Sequence, residues 1–265
     1  MSFFSLFYQE FVVRPIFNGL IFFYNLLPYP DFGLAIVLLV VGVRVLLYPL
    51  NNAQLKFQHQ QAKIQPRVQE IQKKYKDDRA QQTKELLDLY KKEGVNPFFG
   101  ILALLILVVQ ILFIIGLYSV FSKGFSIDRF SMLYSFVGAP NNFNTSFLKL
   151  IDLSRSNIFI AVLAGFSQFL QAKLFLPAPG ATQSKDSFMA IFQKQSVYVF
   201  PILTVVIALR FPAALPLSWT VMNIFAILQQ EIVKRRSHEG FNGKNKESPQ
   251  GSSVQNGLSG RSGSI

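Results

Sequence analysis

Arg44 raises the sharpest chemical question in this chain. It stands between Val43 and Val45, and the surrounding stretch Val37–Leu50 contains no acidic residue. A guanidinium keeps its charge at any ordinary pH. Inside an apolar segment such a charge is costly and usually faces a cavity or a partner. Two readings follow. Arg44 lies six residues before the end of the run, about 9 Å at helical rise, so its side chain could snorkel to the interface. Alternatively it lines a polar groove. Arg210 adjoins Phe211 and Pro212 at the tip between two apolar runs, where snorkelling is the better account. The uncharged polar residues of the apolar runs include Gln110, Ser167, Gln168, Gln171, Trp219 and Asn223. Gln168 and Gln171, three apart, share one helical face. They serve either interhelical hydrogen bonds or the same groove as Arg44.

Other residue types narrow the chemistry. The chain has no cysteine, which excludes thiol catalysis, disulfides and Cys-ligated zinc. His59 and His238 both fall in polar stretches, so neither a His-based metal site nor a triad is expected. Asp31, Asp152 and Glu231 sit at the ends of apolar runs, never inside one. Proton relays and intramembrane cation sites need such groups. The sequence holds no Gly-rich phosphate loop and no serine nucleophile motif. The expectation is a protein that is not an enzyme and uses no metal or cofactor.

The elements that must position these residues are membrane elements. Of 265 residues, 51% are hydrophobic and only 15% charged, against about a quarter charged in soluble domains. Mean hydropathy is +0.33. Five apolar runs approach the roughly 20 residues of a helical span: Phe32–Leu50, Phe98–Phe121, Asn157–Leu176, Val197–Phe211 and Ala213–Gln230. The fourth, 15 residues long, reaches about 22 Å, short of a core roughly 30 Å thick. Either the bilayer is locally thin there or the helix borrows residues from its polar flank. Residues 3–27 are Phe-rich but carry Glu10 and Arg14, four apart, beside Pro15. A helix lying in the interface avoids burying that pair. An uncleaved signal segment is the other reading, but it lacks a basic start and a small-residue cleavage site.

Residues 51–96 hold ten Lys/Arg and six Asp/Glu with many Gln. Ile64, Val68, Ile71 and Tyr75 form one helical seam, and Leu86, Leu87 and Tyr90 a second. Lys76–Arg79 is a polar turn between them, so an antiparallel helical hairpin is expected over roughly 52–76 and 80–93. Residues 234–265, with six Lys/Arg and two Glu among Ser, Gly and Asn, read as a disordered basic tail. The formal charge of +12 is thus concentrated in hairpin and tail. The segment before the first span is net −1, so Lys/Arg bias puts the N-terminus outside and hairpin and tail in the cytoplasm. The organisation expected is an N-terminal interfacial amphipathic helix (1–30), a first transmembrane helix (31–50), the hairpin (51–96), four transmembrane helices with loops (97–233) and the tail (234–265).

Several strings resemble the YidC/Oxa family of membrane protein insertases. Asp31–Ile36 running into Val43–Leu50 is similar to its first core span. Ile64–Pro66, Ile71–Asp78 and Leu89–Pro97 are similar to its cytoplasmic hairpin. Phe147-Leu148 with Ile151–Ser154, Phe211–Leu215, Ser218-Trp219, Asn223–Phe225 and Gln229-Gln230 resemble the remainder, in the family's order. The resemblance covers roughly residues 15–236. It implies an all-α membrane protein, five transmembrane helices around a hydrophilic groove open to cytoplasm and lipid, and no large outer domain of the kind some bacterial members carry. It matches the groove Arg to Arg44 and the groove Trp to Trp219; Gln110, Gln168, Gln171 and Asn223 are the further candidates for the same groove. Two departures stand out. The prolines of the family's second span are missing around Ala103, Gln110 and Leu112, and Ser218 replaces the usual Tyr before the Trp.

The resemblance further implies insertion of nascent membrane proteins into the bacterial plasma (inner) membrane without covalent chemistry. Ribosomal RNA and anionic lipids suit the basic hairpin and tail, and the Sec translocon is a further partner left open. A structural assembly factor for a membrane complex and a small transporter are the alternatives. A transporter calls for an ionisable or inverted-repeat site at the midplane, and the sequence displays neither.

Overall fold

A computed structural model of the chain describes residues 3–95, 99–122, 127–140, 143–175 and 188–246. The described residues are mostly helical. The elements are α1 (Phe3–Tyr8), a π-helical turn (Gln9–Val13), α2 (Arg14–Leu26), α3 (Phe32–Leu46), α4 (Tyr48–Lys74), α5 (Arg79–Lys92) and α6 (Phe99–Ser122). A 3₁₀ turn (Ile127–Met132), β1 (Ser146–Phe147), β2 (Ile151–Asp152), α7 (Ile158–Phe175), α8 (Phe188–Ala208) and α9 (Ala214–Lys246) complete the order.

Two prolines shape the first half. Pro15 lacks the N–H that Phe11's carbonyl would accept in an α-helix. The chain widens there into a π turn, closed by Arg14 N–H donating to Gln9 O. Pro49, in the first turn of α4, removes the donor for Val45's carbonyl, and α3 and α4 meet at a 62° bend.

Among the described residues two helices are long and apolar enough to cross a membrane, over Leu104–Ser122 and Ile158–Phe175, and three if the bent pair α3–α4 counts as one span. α6 is apolar on all sides and exposes Ile101, Leu104 and Leu107, as a helix surrounded by lipid does. The short fourth run is lengthened at its polar flank, since α8 begins at Phe188 and has 21 residues. α9 continues to Lys246, past the point at which loss of apolar periodicity places the tail. Residues 247–265 of that tail lie outside the described residues.

The main core gathers where α3 starts and α6 ends. Phe17, Leu20, Ile21 and Tyr24 of α2 meet Phe32, Ala35, Ile36 and Val40 of α3, with Leu117 and Val120 of α6 and Ala213–Leu215 at the head of α9. Asn18 ties this core to the loop after α6. It is 2% exposed, its Nδ2 donates to Arg14 O and Met132 O, and its Oδ1 accepts from Tyr134 N–H. The Glu10–Arg14 pair, 2.7 Å apart, belongs to the same junction, because Arg14 Nε donates to Met132 O and its guanidinium lies over the Tyr134 ring. Arg129 donates to Val120 O and Ser119 O at the C-terminal end of α6, where orphan carbonyls need donors.

Asp31 joins two parts of this end. Its Oδ1 accepts from Leu34 N–H as the N-cap of α3, and its Oδ2 accepts from Leu148 N–H in the β1–β2 turn. Asp31→Ala removes both acceptors and should cost about 1–2 kcal/mol. The expected outcome is a lower melting temperature in detergent, with Asp31→Asn falling between alanine and the native chain.

α4 and α5 pack antiparallel along Phe57, Ile64, Val68 and Leu89, with Ile71, Leu86 and Tyr90 partly buried. The seam departs from the sequence reading at two points: Leu89 is buried while Leu87 is exposed, and Phe57 extends it toward the bend. Asp78 caps α5 by accepting from Gln81 N–H. Gly94, at φ +63°, closes it, with Val95 N–H donating to Tyr90 O and Gly94 N–H to Lys91 O, a Schellman arrangement. An Arg67–Glu93 ion pair joins the two arms.

Candidate functional site

Arg44 lies near the end of α3 opposite the main core. Val40 and Arg44, four apart, face Ile106 and Gln110, also four apart on α6, because residues at that spacing share one side of a helix. Asn51 from the first turns of α4 and Met222 from α9 complete the wall of a small cavity of about 60 Å³. Arg44 and Asn51, seven apart and on two helices that meet at the Pro49 bend, line one cavity.

No described carboxylate neutralises Arg44. The ion pairs among the described residues are Arg14–Glu10, Arg67–Glu93 and Arg155–Asp152. Apart from Asn51 and Gln110 the wall around Arg44 is apolar, so the cation's field is screened less than it would be in water. Asn51 is 7% exposed, and its Nδ2 has no hydrogen-bond partner among the described residues. A buried donor left unsatisfied is costly and is met in native proteins where a ligand, ion or water belongs. The cavity therefore presents a cation and an amide donor to an acceptor-bearing guest. It contains no nucleophile and no acid–base pair.

The remaining sequence candidates are distributed differently. Gln110 joins Arg44 in the cavity wall. Gln168 accepts a hydrogen bond from the Thr204 hydroxyl of α8. Asn223 Nδ2 donates to Ser167 Oγ across α9 and α7 at 3.0 Å. These are the interhelical bonds that the sequence left as one of two readings. Gln171 is partly buried on α7. Trp219 packs edge-on to Phe211 in the main core, one turn before Met222, and its Nε1 is buried without a partner among the described residues. Arg210 is exposed.

Two features went unread in the sequence. Asn51 could have been flagged as an amide two residues after a helix-bending Pro, just past the end of an apolar run. Gln229 and Gln230 clamp neighbouring elements to α9: Gln229 Nε2 donates to Tyr48 O at the α3–α4 bend, and Gln230 Nε2 to Leu174 O near the end of α7.

Known proteins resemble this chain in sequence over most of its length. The family model described as 60Kd inner membrane protein matches residues 22–240. The chain is 34% identical over 208 residues to the membrane protein insertase YidC of Oceanobacillus iheyensis, covering 77% of this chain and 75% of that one. It is 31% identical over 232 residues to the membrane protein insertase MisCA of Bacillus subtilis, covering 86% and 79%. Against the membrane protein insertase YidC of Oleidesulfovibrio alaskensis it is 33% identical over 230 residues, which span 86% of this chain and 39% of that longer protein. With a family match and relatives over most of its length, the chain belongs to the 60Kd inner membrane protein family, that of the YidC membrane protein insertases.

Proposed function

We propose that this inner membrane protein inserts and folds nascent membrane proteins, and that the Arg44 cavity is the part of a hydrophilic groove that receives their polar flanks. The observation that carries the reading is an arginine that no described carboxylate neutralises, beside a buried amide donor with no partner among the described residues, in a wall that is apolar but for Gln110. Partway into the bilayer, such a site lowers the cost of moving a hydrophilic segment. Arg44 attracts acidic residues of the flank, and the apolar span then leaves sideways into lipid, where burial of about 20 apolar residues drives the step. Gln168, Gln171, Trp219 and Asn223 line or brace the groove around it.

In this reading five helices span the membrane: α3, α6, α7, α8 and the apolar part of α9. Residues 1–30 lie in the outer interface, 31–50 make the first span, 51–96 the cytoplasmic hairpin, 97–233 the other spans and 234–265 a basic cytoplasmic tail. Exposed Leu6, Phe7 and Phe11 near the start of the chain support interfacial placement. The ten basic residues of the hairpin support a cytoplasmic position and contact with ribosomal RNA or anionic lipid. A pairing with the Sec translocon is compatible with the lipid-facing surfaces of α6 and α8.

The purified chain, reconstituted alone in liposomes, is expected to insert a single-span client made in a cell-free reaction; a structural assembly factor would leave the client outside. The chain has no native Cys, so topology can be read from single introduced ones. Lys84→Cys is expected to be shielded from an impermeant thiol reagent in intact cells, and Phe136→Cys labelled. Labelling at 84 would reverse the orientation.

A further inference from the structure

The short β1–β2 hairpin carries an exposed turn whose backbone and side chains are both unfavourable in water. Ser146 pairs with Asp152 and Phe147 with Ile151, and Leu150 N–H donates to Phe147 O at 2.9 Å. The two central residues, Leu148 and Lys149, have φ of 51° and 60°. Two left-handed residues in succession are what a type I′ turn requires, and Asn-Gly is the sequence that adopts it readily. Here the positions are held by a leucine and a lysine, side chains that resist this conformation. The apolar groups are also presented outward, Leu148 being 54% and Leu150 83% exposed. Strain of this kind persists only where the surrounding structure enforces it, and it marks functional segments.

The surroundings place the turn at a membrane boundary. Asp31, the N-cap of α3, accepts the Leu148 N–H. The Phe147 ring lies against Gly33, so closely that a Cβ there would fall 2.1 Å from it. Just beyond the hairpin, Leu153 O and Arg155 O accept from Ala214 N–H and Ala213 N–H at the head of α9. α7 starts a few residues on, with Ile158 and Phe159 exposed at its first turn. Asp152 is held in place by Thr145 and Ser154, and the Ser154 hydroxyl, its N–H and the Thr145 hydroxyl hold its carboxyl below the usual range. The turn is therefore level with the ends of three helices and continuous with the apolar first turn of α7.

We propose that Leu148, Lys149 and Leu150 form an interfacial anchor: the two leucines enter the headgroup–acyl boundary of the leaflet at which α3 begins, and the Lys149 ammonium reaches the lipid phosphates. An amphipathic side chain flanked by apolar ones suits that layer. The rigid hairpin links the anchor through Asp31 to the start of α3, so it fixes the depth of the helix that carries Arg44. The inference requires a membrane-resident chain and does not depend on insertase activity.

The test places a nitroxide on Leu150→Cys in the full chain, in vesicles of phosphatidylcholine and phosphatidylglycerol at three to one. Lys84→Cys serves as the aqueous reference and Leu107→Cys as the lipid reference. The ratio of oxygen to nickel-chelate accessibility at 150 is expected to resemble that at 107 and to exceed that at 84 several-fold. A ratio equal to that at 84 overturns the proposal. The pair Leu148→Asn and Lys149→Gly supplies the favoured turn sequence, so it should leave the melting temperature in detergent unchanged or raise it. In vesicles it should lower the accessibility ratio of the label at 150 several-fold. A ratio that stays lipid-like in this double variant also overturns the anchoring role of the two side chains.

Discussion

Alanine at position 44 should lower insertion of clients with acidic flanks on the order of tenfold, equivalent to about 1.4 kcal/mol, while lysine retains most of the activity. Two unit charges 4 Å apart interact by about 4 kcal/mol at the effective dielectric of a partly buried site. Water in the cavity and reorganisation of the flank reduce that figure, which sets the estimate near one decade. Lysine supplies the same charge without the planar fork. It suffices because the guest is a mobile peptide flank, for which a positive potential matters more than fixed bidentate geometry. The measurement is insertion of paired clients that differ only in acidic or neutral residues of the flank. The acidic client should lose more than the neutral one, because only the acidic client has the Coulomb attraction to lose. Equal loss for both would assign Arg44 a structural part in holding the cavity open, and no loss for either would mean that it merely snorkels.

Gly165→Leu should remove most of the folded protein from the membrane. A Cβ at 165 would stand 2.9 Å from Pro201 O and 2.4 Å from Val205 Cγ2. The valine methyl can turn away, but the backbone carbonyl cannot. α7 and α8 must therefore separate, and α8 packs chiefly on α7. Alanine, the smallest intrusion, should cost about 1–3 kcal/mol as other overpacked contacts do, and leucine more. A fall in detergent melting temperature of roughly 5 °C for Gly165→Ala is the expected result. Gly138→Ala is the control, because nothing lies within 4 Å of its Cβ position. Equal melting temperatures for the two alanine variants would show that the α7–α8 contact is looser than the backbone approach implies.

Local chemistry made much of this protein legible in one dimension. Pro49, Asp78 and Gly94 mark the bend, the start and the end of helices in the positions where their backbone constraints act. The seam at Ile64, Val68 and Ile71 is readable because residues three and four apart share a helical face whatever the rest of the chain does. The exceptional character of Arg44 also follows from its immediate neighbours, which are all apolar.

What the tertiary structure alone decided is which polar groups meet. Gln168 and Asn223 are of the residue types a polar groove needs, yet one accepts from Thr204 and the other donates to Ser167. Both partners lie on other helices, 36 and 56 positions away, and helix rotation selects them. Asn51 lines the Arg44 cavity from the far side of a 62° bend in the chain. Asn18 looks like one more polar residue in a Phe-rich helix, until Met132 and Tyr134 arrive from more than a hundred positions away. Leu148 and Lys149 give no turn signal at all, because their left-handed backbone is imposed by Asp31 and the strand pairing. Composition and spacing determine which segments are helical and apolar. The pairing of side chains across helices depends on their packing angles and rotations, which no local pattern encodes.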